Sequence, residues 1–227
     1  LGRIGGRTVG VIANNPLRPL PNSERVRRAM QKLEFCVVQD CYEDTESAQY
    51  AHVYLPAGTW AEKDGVMTNT ERRVNLVKPV VKPPGEAKPD LWIFNRMAKR
   101  FNADGKVTFP EKAADIFIEM AGISKGRLAD ISGMSHELIE QHRGVQWPYT
   151  GEQLANNEAP PQGGKRLYTE SATFRYADGR AKLIPLPFID NNEVPDEQFP
   201  IWLNTGRLVE HWHGRSKTGK IGNNNKY

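Results

Sequence analysis

The chain has 227 residues, 38% of them apolar and 26% charged, enough to bury a core in one large domain or two modest ones and too apolar for a disordered tail. Its longest apolar runs, such as Phe35 to Val38 and Ile116 to Ile118, fall far short of the roughly 20 residues that cross a bilayer, so neither a membrane span nor a signal segment is expected. Thirty-one Lys and Arg against 27 Asp and Glu leave +4, but basic residues scattered without a stripe or recognition motif argue against nucleic acid as a partner.

Two cysteines, Cys36 and Cys41, cannot build a disulfide scaffold, and a reducing compartment such as the cytoplasm is the expectation. Gly2 to Gly6 (GRIGG) precedes a strand instead of following one and reads as a loop, not as a dinucleotide fingerprint. Thr8 to Ala13 (TVGVIA) is a buried strand that runs into the turn Asn14-Asn15-Pro16. Asn22 or Ser23 caps a helix carrying Val26, Met30 and Leu33 at helical spacing, and Glu34 to Gln39 is a second buried strand closed by Asp40. A short helix near Thr45 to Tyr50 and a third strand, His52 to Leu55, continue the alternation.

The fold class that follows is α/β, a mostly parallel sheet with flanking helices of the dinucleotide-binding type. Ligands in such sheets bind outside the carboxyl ends of the strands, which here carry Asn14, Asn15, Gln39 and Asp40. Further on, Asp90 caps a helix with Leu91, Phe94, Met97 and Phe101 on one face, and helices are expected over Pro110 to Met120 and Ser135 to His142. From Trp147 to Lys165 the composition shifts to Pro, Gly, Asn and Gln, which reads as a linker. Arg166 to Tyr176 and Ala181 to Leu186 flank a hairpin turn at Ala177 to Arg180, and Phe199 to Leu203 is a further strand. The expected organisation is an α/β domain over 1–146, a linker and hairpin over 147–197, and over 198–227 the incomplete start of a β-barrel-like, β-rich cofactor-binding domain.

No nucleophile elbow, P-loop, HExxH or CxxC motif is present. His211 and His213 in Glu210-His211-Trp212-His213 share a face on a strand but lack further ligands, so they read as hydrogen-bond donors more readily than as a metal site. Asn204-Thr205-Gly206-Arg207 follows a buried strand: glycine permits close backbone approach, Thr205 offers a hydroxyl, and Arg207 forks onto phosphate oxygens. A carboxylate at a strand end, such as Asp40, accepts the paired N–H groups of a guanine edge, and Lys63 suits a pyrophosphate as a point charge. Asp40 and Asp90 also have plain structural uses, as a strand end and a helix cap. Cys36 reads as core, and Cys41, beside Asp40, reads as non-catalytic.

Several strings together resemble one family. "VVQD", then "TESAQYAHVYLPAGTWAEKDGVMTNTERRV", "PPGEAKPDLW" and "LNTGRLVEHWHGRSKTGK" are similar to the C-terminal half of molybdopterin oxidoreductases that carry bis-molybdopterin guanine dinucleotide. The nearest type is the catalytic subunit of assimilatory and periplasmic nitrate reductases, with formate dehydrogenases next. The likeness covers most of residues 8–101 and 198–220.

The resemblance implies cofactor contacts at Asn14, Gln39, Asp40, Lys63 and Asp90, and along Thr205, Gly206, Arg207, Leu208, Val209, Glu210, His211, Trp212 and His213. It implies a molybdenum centre whose metal ligand, like the cysteines of a [4Fe-4S] cluster, belongs to an N-terminal half that these residues do not supply. The partners it implies are that N-terminal half, an electron donor and a small anionic substrate, nitrate first. Formate dehydrogenase is the alternative within the family, and a stand-alone nucleotide-binding subunit the alternative outside it. Gly214 stands where such relatives carry Thr, which removes one hydroxyl donor.

Overall fold

A computed structural model describes residues 8–102, 104–106, 108–169, 173–174 and 176–222; the glycine run at 2–6 lies outside them. β1 (Thr8–Ile12), β2 (Phe35–Asp40) and β3 (Val53–Pro56) form a three-stranded parallel sheet in that order. Val11 sits opposite Val38 and Ile12 opposite Gln39, so β1 and β2 end almost level. The crossover carries α1 (Ser23–Gln31), started by Asn22, whose left-handed backbone lets its side chain accept the Arg25 N–H at 3.1 Å. Val26 and Met30, one turn apart, are the buried face of α1 and pack with Val11, Leu17, Cys36 and Val38. Each such side chain taken fully out of water contributes about 1.5–3 kcal/mol.

A second sheet is antiparallel: β4 (Gly65–Thr68) pairs with β5 (Arg73–Val77), which pairs with β6 (Val145–Gln146). Its core joins Val74 and Val145 to α3 (Ala113–Ser124) through Phe117 and Ala121, to α4 (His136–Gln141) through Ile139, and to Ile131, Met134 and Tyr149. The β4–β5 turn is held by Asn69, whose Oδ1 accepts from the N–H of Glu71 and of Arg73. Arg72, in the left-handed region at φ 62°, carries backbone strain that its side chain offsets. Its guanidinium lies 5.4 Å from the centre of the Trp147 ring and donates to the Trp147 carbonyl at 2.6 Å.

Several expectations are corrected here. Residues 147–165 are not a structureless linker: Tyr149 is 1% exposed in the second core, and α5 (Gly151–Ala155) starts with a reciprocal Thr150–Gln153 capping box. The described residues of 166–176, 181–186 and 199–203 form no strand, although the turn is made, with Gly179 N–H donating to the Tyr176 carbonyl at 2.8 Å. A turn does not suffice for a hairpin when the flanking side chains have no surface to pack on. Leu183, Leu186, Ile201 and Leu203 are all exposed. In α2 (Asp90–Phe101) the buried residue is Ile93, and Phe94, Met97 and Phe101 of the predicted apolar face are exposed. No helix among the described residues is long and apolar enough to cross a membrane.

Candidate functional site

The parallel sheet brings the predicted strand-end residues together and buries Asn15, Gln39 and Asp40, though not Asn14. Ala13 N–H bonds the Gln39 carbonyl at 2.8 Å, which tethers the β1 loop to the end of β2. Asn14 is exposed and accepts from the Asn15 N–H at 2.8 Å. Asn15, by contrast, is buried: its Nδ2 donates to Glu46 at 2.6 Å and its Oδ1 accepts from both the N–H and the hydroxyl of Ser47. This network, with Arg18 on the other Glu46 oxygen at 2.6 Å, locks the loops after β1 and β2 into one rim. Burial pushes the Glu46 carboxyl up, and hydrogen bonds from Arg18, its own backbone and Asn15 outweigh that and leave it lowered.

Asp40 is 1% exposed at the end of β2. Its Oδ1 accepts from Cys41 N–H at 2.7 Å, Tyr42 N–H at 3.3 Å and the Cys41 thiol at 3.4 Å, and Lys217 Nζ stands 3.1 Å away. Its Oδ2 is buried and has no hydrogen-bond partner. A buried carboxylate oxygen left bare costs free energy, so this atom is an unsatisfied acceptor. Tyr54 Oη donates to the Asp40 carbonyl at 2.6 Å, and burial followed by the Asp40 charge pushes that phenol up to about 12. A cleft of about 710 Å³ opens beside this strand end, lined among others by Cys41, Tyr54, Pro56, Thr59, Glu62 and Lys220.

Gln39, 2% exposed, points its amide at α2: Nε2 donates to Asp90 Oδ1 at 2.7 Å, and Lys63 pairs with Asp90 Oδ2. Asp90 is therefore no helix cap. Pro89 takes that position, and the Asp90 side chain turns to the sheet, where its negative charge also suits the positive end of α2. Lys63, read as a loose point charge, is held at the end of the single turn Trp60–Glu62 that precedes β4. The three side chains form one chain of polar contacts across the two halves of the fold.

Thr205 to Glu210 are exposed and without regular structure. His211 is half-buried, with Nδ1 3.3 Å from Thr218 Oγ1 and a buried Nε2 that lacks a hydrogen-bond partner. Trp212 N–H donates to the same hydroxyl at 2.8 Å, and the Trp212 and His213 rings stack at 4.3 Å. Among the described residues no group of three or more His, Cys, Asp and Glu is placed to hold a metal ion. Gly214 has room for a side chain, since an added Cβ would meet only Arg18 at 3.5 Å. Cys36 is buried, and burial pushes its thiol up; burial and then Asp40 do the same for exposed Cys41.

Sequence reasoning overlooked Lys217, Lys220 and Asp44. Lys220 Nζ reaches Asp44 Oδ2 at 2.5 Å and the Asp44 carbonyl at 2.7 Å, and no motif or periodicity links residues so far apart. Asn15 was legible only as part of the turn, because its neighbour Asn14 offers the same chemistry and only the fold decides which one turns inward.

The chain is similar in sequence to known proteins. Residues 3–100 match the family model described as Molybdopterin oxidoreductase. The chain is 38% identical over 215 residues to a nitrate reductase of Synechocystis, covering 93% of this chain and 29% of that protein. It is 34% identical to the F420-dependent formate dehydrogenase subunit alpha of Methanocaldococcus jannaschii, over 94% of this chain and 29% of that one. It is 31% identical to a periplasmic nitrate reductase of Desulfovibrio desulfuricans, over 97% of this chain and 30% of that one. The chain thus spans less than a third of the length of these relatives.

Proposed function

This chain belongs to the molybdopterin oxidoreductase family, and on that premise we propose that it clamps the guanine dinucleotide arms of a bis-molybdopterin cofactor in a nitrate reductase. The observation that carries the reading is Asp40 Oδ2, a buried acceptor without a donor at the carboxyl end of a parallel strand. A guanine edge offers N–H donors of the kind this oxygen lacks, so the residues present fit the group. Gln39, Asn14 and the Asp90–Lys63 pair would surround the base and ribose. Thr205, Gly206 and Arg207 would meet the phosphates with a hydroxyl, a bare backbone and a planar fork. Leu208, Val209, Glu210, His211, Trp212 and His213 would line the pterin side, His211 through the ring nitrogen that has no partner.

The bound molybdenum cofactor would supply the redox chemistry, removal of one oxygen atom from nitrate with release of nitrite. The residues of this chain bind it, orient it and exclude water from it, which is the protein's share in cofactor enzymes. A [4Fe-4S] cluster, the metal ligand and an electron donor would come from elsewhere in the assembly. Nitrate is favoured over formate because the relative at 38% identity is a nitrate reductase, against 34% for the formate dehydrogenase. The test is molybdenum content with nitrate and formate assays on the full enzyme carrying Asp40→Ala. A severalfold loss of bound molybdenum and of nitrate reduction is expected; normal occupancy and activity would overturn the assignment.

A further inference from the structure

The loop after β2 is gripped from a distance by two lysines. Lys217 caps the single turn Thr218–Lys220, and Lys220 closes it. Residues three apart on such a turn project to one side, and here they meet two acids four apart: Lys217 stands on Asp40, and Lys220 on Asp44. Lys217 is itself mostly buried, with 15% of its side chain exposed against 0% for Asp40. An enclosed ion pair of this kind is expensive to break by removing one partner, because the other charge is then left buried alone. Ser216, next to Lys217, is also buried, and Gly214 lies against Arg18 of the β1 loop. The segment therefore lies over the carboxyl ends of both β1 and β2.

The hydrogen bonding of Asp40 is lopsided. Oδ1 receives two backbone N–H groups, a thiol and the ammonium of Lys217, whereas Oδ2 receives nothing. Lys217 thus adds its charge to the oxygen that the Cys41 and Tyr42 groups already hold, and Oδ2 is left without a donor.

We infer that Lys217 is the positioning residue that closes this site, coupling the strap of residues 205–220 to Asp40 so that the base-reading carboxylate and the strap are set together. The inference rests on the reading of Asp40 as a guanine acceptor and adds what holds that acceptor in place. Lys220 on Asp44 is the outer half of the same latch. With Lys217 gone, the strap loses its inner anchor and Asp40 loses the charge that orients it.

The test uses the full chain and two readouts, amide hydrogen exchange along 211–221 and binding of GDP against ADP. The reporter amides are those of Trp212, Arg215, Gly219 and Lys220, whose hydrogen bonds lie within the strap. In Lys217→Met we expect about tenfold faster exchange at these amides and about tenfold weaker GDP binding, with Lys217→Arg restoring most of both. Lys220→Met, which leaves Asp40 paired, should speed exchange while leaving the preference for GDP over ADP in place. GDP binding with unchanged exchange in Lys217→Met overturns the latch alone. A wild-type chain that binds neither nucleotide overturns the guanine reading of Asp40, and with it the role of Lys217 in the site.

Discussion

The contact between Asp90 and Lys63 joins α2 to the segment before β4, and a double-mutant cycle measures it. Asp90 accepts from Gln39 on Oδ1 at 2.7 Å and from Lys63 on Oδ2. Asp90→Asn keeps an oxygen for Gln39 but turns an amide N–H toward the ammonium, so it removes the charged contact and little else. A hydrogen bond to a charged group contributes about 1.5–3 kcal/mol when enclosed. Exposures of 28% for Asp90 and 32% for Lys63 place the pair between that case and a surface ion pair worth 1 kcal/mol at most, so about 1–2 kcal/mol is expected. The cycle of wild type, Asp90→Asn, Lys63→Met and the double variant, followed by urea unfolding, should give a coupling of about 1–2 kcal/mol.

Acid gives the cycle a second reading. Partial burial raises the Asp90 carboxyl, and the hydrogen bonds from Lys63 and Gln39 together with the Lys63 charge outweigh it, leaving it below the ordinary 3.8. A carboxyl lowered by folding stabilises the protein fully above its unfolded value, and that contribution is lost as pH falls through the folded one. The coupling should therefore hold from pH 7 to pH 5 and decline below pH 4. Additive variants at pH 7, or a coupling that grows in acid, would refute the reasoning.

Two other outcomes follow from the same structure. A Cβ at Gly133 would lie 2.3 Å from the Thr150 carbonyl oxygen and 2.8 Å from its carbon, backbone atoms fixed by the Gly133 N–H bond to the Tyr149 carbonyl. Gly133→Ala should cost about 3 kcal/mol in urea unfolding, while Gly10→Ala, with nothing within 4 Å of the added atom, should cost nothing; equal effects would detach residues 147–165 from the second core. Cys41 should react with iodoacetamide at pH 8 severalfold more slowly than a free thiol, because burial and Asp40 push its thiol up. Lys217→Met should slow it further, since the Lys217 charge is the larger of the two influences that oppose that rise; a faster reaction would sink the assignment.

The parallel sheet was legible because its signals are local. A β-branched apolar run, an Asn cap and a helical pair at Val26 and Met30 occur in order within about thirty residues, and each agrees with the next. The antiparallel sheet was not, since β5 pairs with β6 some seventy residues later and a two-residue strand carries no periodicity. The segment 147–165 misled for a physical reason: its Pro and Gly content reads as a linker, yet Arg72 fastens it from outside the run while Tyr149 and the Thr150 cap anchor it from within. On α2, helical spacing located the helix but not its buried side, because Ile93 faces the protein while Phe94 and Met97 lie in water. Composition cannot rank two apolar stripes one residue apart.

The same division explains the site. Residue chemistry singled out Asp40, Gln39, Lys63 and Asp90 one by one, each with a plain structural use that fits it equally well. What separates the readings is the company each keeps. Asp90 bonded to nothing but its own helix would be a cap; bonded to Gln39 and Lys63 it is a junction between two sheets. Asp40 with both oxygens satisfied would be a strand end; with one oxygen crowded by four donors and the other bare, it keeps an acceptor unused, which is what the proposed guanine contact needs. Three of those four donors belong to the adjacent Cys41 and Tyr42, but the counter-charge is Lys217, 177 residues along the chain, so no window of sequence around Asp40 contains it. A buried acceptor that keeps one oxygen open at a cost in stability, and whose counter-charge sits on the segment proposed to cover the ligand, is better accounted for by binding than by folding.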